Sequence, residues 1–385
     1  MNVRRIMLAV GVSALALGAC GAVGRAQNAT PLAPPINLAP PAKEPSSKAA
    51  HPKKTSPKRP AAARKSPPKP QSEVKPAAAP NAVKPAAVPS KEPAPNRQGD
   101  GDVAYGAYQR GFFLTAFREA TRRVDETGDA KSMTLLGELY ANGFGVPRDD
   151  QKAAAWYSLA SDRGDAHATF ALAMFRFAGR GGERDTAAAV RLLEQAVKLG
   201  HGVAAYNLGL LYLEGEKFPA DFAKAAELFR FAGGRGIPEA QYALATLYKE
   251  GRGVQKDVEE AGRLLAAAAI AGNTDAEIEY AIALFNGTGM PKNEAAAAAL
   301  LRKAAGKGSP IAQNRLARVF ASGRGLPRDP VAAVKWHLIA KAGGASDPWL
   351  DDFVQKLAPK EREAGEKAAK PWTMARNAPH PLDAH

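Results

Sequence analysis

The sequence predicts an all-α fold, an αα-solenoid of six 36-residue helix-loop-helix repeats with atypical terminal capping helices, and three observations carry that prediction. The first is a set of residue-type columns at one fixed period. With Leu136 as phase zero, the leucine column continues through Leu172, Leu208, Leu244, Tyr280 and Leu316, and the next position is always small, from Gly137 to Ala317. Glycine recurs seven residues after phase zero, from Gly143 to Gly323, and alanine columns run from Ala153 to Ala333 and from Ala160 to Ala340. The second observation is that the block Asp129 to Gly344 has no insertion or deletion. The third is that each unit splits into two apolar stripes of helical spacing, separated by a loop of the type GFGVPR.

Taken in chain order, the first residues read as an export address. A short basic segment, Met1 to Arg5, precedes an apolar run, Ile6 to Leu17, too short to span a bilayer. Two processing readings stay open. Leu17-Gly18-Ala19-Cys20 resembles a lipoprotein box, which would lipidate Cys20 after a signal of residues 1–19, while Gly24-Arg25-Ala26 fits an ordinary signal of residues 1–26. The expected location is outside the cytoplasm: periplasmic, with membrane anchoring if Cys20 is acylated. Cys20 is the single cysteine, so the exported domain is expected to hold no internal disulfide and no thiolate metal site.

Residues 27–100 are Pro, Ala and Lys with almost no large apolar side chain, a composition that predicts a disordered linker. This stretch carries 13 Lys and Arg against four Asp and Glu, whereas the repeat block holds 27 against 23. Most of the chain's formal charge of +15 therefore sits in the linker, where cell-wall polymer or anionic lipid is a more natural target than nucleic acid. A plain solubilising spacer is the competing reading.

A shortened capping unit is expected at 101–128, with helices over Tyr105 to Gln109 and Phe113 to Val124. In each full repeat, the glycine of the Gly143 column suits a left-handed C-cap of the first helix. Asp149, Asp185, Asp221, Asp257, Asn293 and Asp329 suit the N-cap of the second. Between the alanine columns a large residue, Trp156, Leu192, Leu228, Leu264, Leu300 or Trp336, is expected to fill the space between helices. Beyond Gly344, two further helices over 345–372 read as a C-terminal cap and 373–385 as a tail.

The motif LGxLYxxGxGVxxD followed by KAxxW and AAxxG resembles the Sel-one-like repeat family, a relative of the tetratricopeptide repeats, over Asp129 to Gly344. The resemblance implies a right-handed superhelix that serves as a non-catalytic adaptor for protein partners. Departures fall at Arg176, Lys217 and Tyr280, which leave the third loop and the packing of the fifth repeat open.

If the first helices line the concave face, as that resemblance implies, the groove positions lie two before, two after and five after phase zero. They are Phe170, Met174, Phe177, Tyr206, Leu210, Leu213, Ile278, Ile282 and Phe285, extended by Tyr242. An open apolar groove for a partner's helix or extended segment and burial by superhelical curvature are both compatible with this pattern. A second candidate is a basic rim on the loop edge: Arg180, Arg252 and Arg324 at one phase, with Arg148, Arg184, Lys256, Lys292 and Arg328 at another. The expected function is an envelope scaffold or regulator. The alternative is a peptidoglycan or acidic-polysaccharide module using the linker and rim.

No GxSxG, HExxH or Walker-type run occurs, and the paired glycines of the loops are explained by the turn. His167, His201 and His337 fall at three different phases, so stacking is not expected to gather them. No catalysis, cofactor or metal is expected, and the chain reads as a monomer with envelope proteins as partners.

Overall fold

The computed structural model describes residues 103–215 and 219–377. The signal segment with Cys20, the linker, Lys217 in the third loop and the last residues of the tail lie outside the described residues. Among those described there are sixteen helices and no strand. A capping pair, α1 (Val103–Gln109) and α2 (Phe113–Thr127), comes first. The repeats follow as α3 (Ala130–Asn142) with α4 (Asp150–Asp162), α5 (Ala166–Ala178) with α6 (Thr186–Lys198), and α7 (Gly202–Glu214) with α8 (Phe222–Gly233). They continue as α9 (Pro238–Glu250) with α10 (Val258–Ile270), α11 (Thr274–Asn286) with α12 (Glu294–Gly306), and α13 (Pro310–Ser322) with α14 (Pro330–Ala342). The described residues end with α15 (Pro348–Gln355) and α16 (Pro359–Asn377), the latter packed along α14, while from α1 to α13 each helix packs chiefly on its neighbours in sequence.

The helix ends follow from named side chains. Every second helix is N-capped by the column that starts at Asp149: Asp149 accepts from the Lys152 N–H at 2.9 Å, Asp257 from the Glu260 N–H at 2.8 Å, and Asp329 from the Ala332 N–H at 2.9 Å. The same residues donate their own N–H back to the preceding first helix, as in Asp149 to the Tyr140 carbonyl and Asp257 to the Tyr248 carbonyl, both at 3.0 Å. One residue thus caps one helix and ties the loop to the other. The first helices end on left-handed glycines, Gly143 at φ 72° through Gly323 at φ 73°.

Within a pair, the small column meets a large one, but not the one the sequence pattern suggests. The side chains that fill the pair are Tyr157, Leu193, Phe229, Leu265, Leu301 and His337, all buried and all one residue later than the expected column. Trp156, Leu192, Leu228, Leu264 and Trp336 are only half-buried. Each touches two successive core clusters, so this column stitches neighbouring repeats together. The physical reason is rotation: one residue along a helix turns the side chain by about 100°, from the partner in the pair to the next repeat. The small column also tracks its neighbour's size. Glycine stands at 137 and 209, where a Cβ would lie 2.6 Å from the rings of Tyr157 and Phe229. Alanine stands where the neighbour is Leu193, Leu265 or Leu301.

Between repeats, the second loop glycine is decisive. Gly181, Gly253, Gly289 and Gly325 have positive φ, and a Cβ on any of them would overlap the backbone at the start of the preceding repeat's second helix: Asp150, Phe222, Val258 and Glu294 respectively. A buried polar column that the pattern reading missed adds to the junction. Gln241 donates to the Gly233 carbonyl at 3.1 Å and Gln313 to the Ala305 carbonyl at 3.2 Å, while Thr169 pairs with Ser161 at 2.8 Å, each spanning eight residues. These side chains satisfy groups at the C-terminal end of one second helix from the start of the next first helix. Tyr280, the departure from the leucine column, is half-buried against the clusters on both sides of it.

Two outcomes test this packing. Gly289→Ala combines left-handed strain with overlap on the Val258 backbone and should cost at least about 3 kcal/mol in urea unfolding. Gly272→Ala, at φ 93° with nothing within 4 Å of the new methyl, should cost only about 1–2 kcal/mol; equal losses would remove the steric account. Gly209→Ala alone should destabilise by about 1–3 kcal/mol. Combined with Phe229→Leu, which recreates the alanine-leucine pairing of other repeats, the loss should fall at least about 1 kcal/mol short of the sum of the single losses.

Candidate functional site

The positions two before, two after and five after phase zero do form one stripe along the first helices, since i, i+4 and i+7 share a helix face. Their exposure divides them. Tyr206, Leu210, Ile278, Ile282 and Phe285 are buried, none more than 6% exposed, and belong to the core of repeats three and five. Tyr206 packs on Phe229 with ring centroids 5.8 Å apart, and Phe285 lies under the Arg324 guanidinium at 4.4 Å. These five therefore act as structural side chains and are unavailable to a partner. Phe170, Met174, Phe177, Leu213 and Tyr242 are half-buried and rest on the clusters beneath them, with one side toward solvent. The apolar surface on this stripe is thus confined to repeats two to four.

Polar groups flank it. In the first repeat the stripe carries Thr134 and Glu138, and Thr134 bonds Asp165 at 3.0 Å. Burial, with the neighbouring Asp165 charge in support, pushes the Glu138 carboxyl up to about 7. In repeats four and five the flank is Glu239, Asp275 and Glu279, with Lys249 paired to Glu279 at 2.9 Å. Asp275 is solvent-exposed, yet crowding by surrounding protein and the charge of Glu279 raise its pKa. In repeat six, Arg318 grips Asp347 through two bonds of 2.6 and 2.8 Å, and Asn314 adds a third at 3.0 Å. Burial opposes the ionised form of Asp347, but these bonds outweigh it and hold the pKa low.

The basic rim is largely consumed by the fold. Arg180 reaches back one repeat to Asp150 with bonds of 3.0 and 2.7 Å, donates to the Ala141 carbonyl at 2.9 Å and covers the Phe175 ring. Arg148 shares the same Asp150, whose pKa is strongly depressed by the two guanidiniums. Arg324 reaches Glu294 at 3.1 Å in the same manner, and Lys292 joins it at 2.9 Å. Arg252 lies over the Phe222 ring at 4.0 Å, in the position that an acid occupies in those repeats, and Arg328 donates to the Ala321 carbonyl at 3.3 Å. Arg184 and Lys256 are exposed, Lys256 beside a shallow hollow with Arg230 and Tyr248. The aligned arginines are inter-repeat clamps; their phase places them opposite the first turn of the preceding second helix.

The histidines depart from the expectation. His167 and His201 come together, with His201 Nε2 3.2 Å from His167 Nδ1 and the His201 ring stacked on Phe170 at 4.7 Å. Different phases meet here because the junction sets the first turn of α5 beside the N-cap position of α7. His201 is itself that N-cap, its Nδ1 accepting the Ala204 N–H at 3.0 Å. The proton of the neutral ring therefore sits on Nε2 and points at His167. Burial, then the nearby His167, lowers the His201 pKa to about 4. His337 pairs with Asp351 at 2.9 Å, and among the described residues no group of three or more His, Cys, Asp or Glu is arranged to hold a metal.

The Sel1 repeat family model matches six segments, 130–165, 166–201, 202–236, 238–273, 274–309 and 310–344, which together cover more than half of the chain. The chain belongs to the Sel1 repeat family. The Sel1 segment boundaries fall at the N-caps of the first helices, and the fold is a tetratricopeptide-like protein-interaction scaffold. Among solved structures, a Sel1 repeat protein from Oxalobacter formigenes is 24% identical, with a TM-score of 0.54 over 63% of this chain and 97% of that one, and shares the fold. The chain is also similar to c5321, described as a protective antigen of uropathogenic Escherichia coli with an SLR fold, at 26% identity and a TM-score of 0.48 over 69% of this chain and 65% of that one. No curated protein matches it.

The His201 cap makes the stability of this Sel1 array pH-dependent. Its folded pKa is lowered to about 4 from 6.5, so the unfolded chain takes up the proton first as pH falls. The cap's contribution is complete above about pH 6.5 and is lost between there and about pH 4. His201→Asn keeps a capping acceptor without that proton, and urea unfolding from neutral to acid pH should show the wild type losing up to about 3 kcal/mol more than the variant. Parallel pH profiles would remove His201 from the account.

Proposed function

We propose that this protein is a non-catalytic scaffold of the bacterial cell envelope that holds a segment of another envelope protein against the face of its first helices in repeats two to four. The observation that carries this reading is the run of half-buried apolar side chains, Phe170, Met174, Phe177, Leu213 and Tyr242, along one helix face of three consecutive repeats. Export rests on the basic and apolar segments before Cys20, with Cys20 as the lipid anchor if the lipoprotein box is used. The basic linker then spaces the scaffold from the membrane or touches anionic lipid and cell wall. Recognition of acidic polysaccharide along the rim has less support, because Arg148, Arg180, Lys292 and Arg324 are already matched by Asp150 and Glu294.

A photo-crosslinking residue placed at Phe177 in the full chain, expressed in its native envelope, should yield a discrete adduct by mass spectrometry, while the same probe at exposed Arg184 yields none. Met174→Ser in the same chain should abolish the adduct without changing the melting temperature by more than about 3 °C. Equal labelling from both positions, or loss of the adduct only through unfolding, would sink the reading.

A further inference from the structure

The apolar stripe does not end in neutral surface. Glu138 stands at its N-terminal end, and Glu239 and Asp275 stand where Tyr242 closes it at the other. Several carboxylates elsewhere are matched from within the chain: Asp150 by Arg148 and Arg180, Glu277 by Lys303 and Lys307, Glu294 by Lys292 and Arg324, and Asp347 by Arg318. Glu279 takes Lys249. Among the described residues, no cation pairs with Glu138, Glu239 or Asp275, the three carboxylates beside the half-exposed apolar side chains.

Two of the three stand close to the aromatic end of the stripe. Asp275 and Glu279 share one helix face, and the Tyr242 phenol is raised by burial and then by the fields of Glu279 and Asp275. Tyr206 feels Glu239 in the same way, after the larger effect of its burial. These phenols place the acids of α9 and α11 within electrostatic reach of the aromatic end of the stripe, across the junctions between α7, α9 and α11. Glu138 lies in a like-charged setting with Asp165. With Glu279 taken by Lys249 and no internal cation on Glu138, Glu239 or Asp275, the apolar stripe is bordered by negative charge, against the positive balance of the chain as a whole. Unneutralised charge beside unfilled apolar surface is complementary to a segment that brings both apolar side chains and cations.

From this juxtaposition we infer that the first-helix face of repeats one to five selects a cationic amphipathic segment of its partner, apolar side chains resting on Met174, Phe177 and Tyr242 and lysines or arginines meeting Glu138, Glu239 and Asp275. The inference rests on the proposed use of this face for docking and adds the chemistry of the occupant. The partner's cations supply the matching that the solenoid withholds, so charge decides which amphipathic segment is held.

Two fluorescent peptides with identical leucine positions, one with Lys and one with Gln at every polar position, separate the two claims. At about 15 residues they are long enough to cross four repeat steps of about 10 Å in extended form. Fluorescence anisotropy with the full chain at low salt should show the Lys peptide bound at least about tenfold more tightly than the Gln peptide, with the gap closing as salt rises. The triple substitution Glu138→Gln, Glu239→Gln and Asp275→Asn, checked by circular dichroism for unchanged folding, should remove the gap and leave the Gln peptide's affinity as it was. Met174→Ser with Phe177→Ser should weaken both peptides. Equal affinities that still depend on Met174 and Phe177 would overturn the cation selectivity and leave the docking face standing. A Lys preference that survives the triple substitution would overturn it as well. Binding of neither peptide, or binding indifferent to Met174 and Phe177, would overturn the docking face together with its selectivity.

Discussion

Much of this array depends on one close approach: in repeats two, four, five and six the loop lies on the backbone at the start of the preceding repeat's second helix, at Gly181, Gly253, Gly289 and Gly325. Only a residue without a Cβ permits it, and only a residue tolerant of positive φ can make the turn there. The approach brings the arginine next to that glycine within reach of Asp150 or Glu294, so one steric concession also creates the inter-repeat ion pairs. The same junction brings each polar side chain of the Gln241 and Gln313 column against the end of a second helix. Stability in such an array is a sum over repeats and junctions, and the junction terms here are built from backbone contact as much as from apolar packing.

That architecture sorts residues by what they are free to do. The small column, its large neighbour and the bridging column are spent on helix pairs and on their stacking, while the residues of the first-helix face change character along the chain. It is polar at Thr134 and Glu138, apolar from Phe170 to Tyr242, acidic at Asp275 and Glu279, and basic but internally paired at Arg318. A scaffold with a constant frame and a graded face can present different chemistry to different parts of one bound segment.

Much of the fold is legible in the sequence because its causes are local and periodic. A capping aspartate acts on an N–H three residues away, and a left-handed glycine ends the helix it follows, so Asp149 and Gly143 announce their roles without tertiary context. The candidate site is less legible. Periodicity groups Tyr206 and Ile282 with Phe170 and Met174, yet the first two are core and the second two half-exposed, because exposure depends on the size of neighbours in the adjacent repeats. Net charge fails for a similar reason: the arginines of the loops look like a basic rim until Asp150 and Glu294, some thirty residues earlier, are found beneath two of them.

By itself the sequence determined the period, the helix ends, the small columns and the scarcity of large apolar side chains over residues 27–100, since each is a property of neighbours along the chain or of a repeat that copies itself. Tertiary structure alone decided which large column fills a pair, because a single step along a helix turns a side chain from its partner to the next repeat. It also decided that His167 and His201 meet although their phases differ, and that among the described residues no cation pairs with Glu138, Glu239 or Asp275. Those outcomes depend on distances between repeats, and such distances are set by the contact at the loop glycines rather than by any spacing that can be counted along the chain.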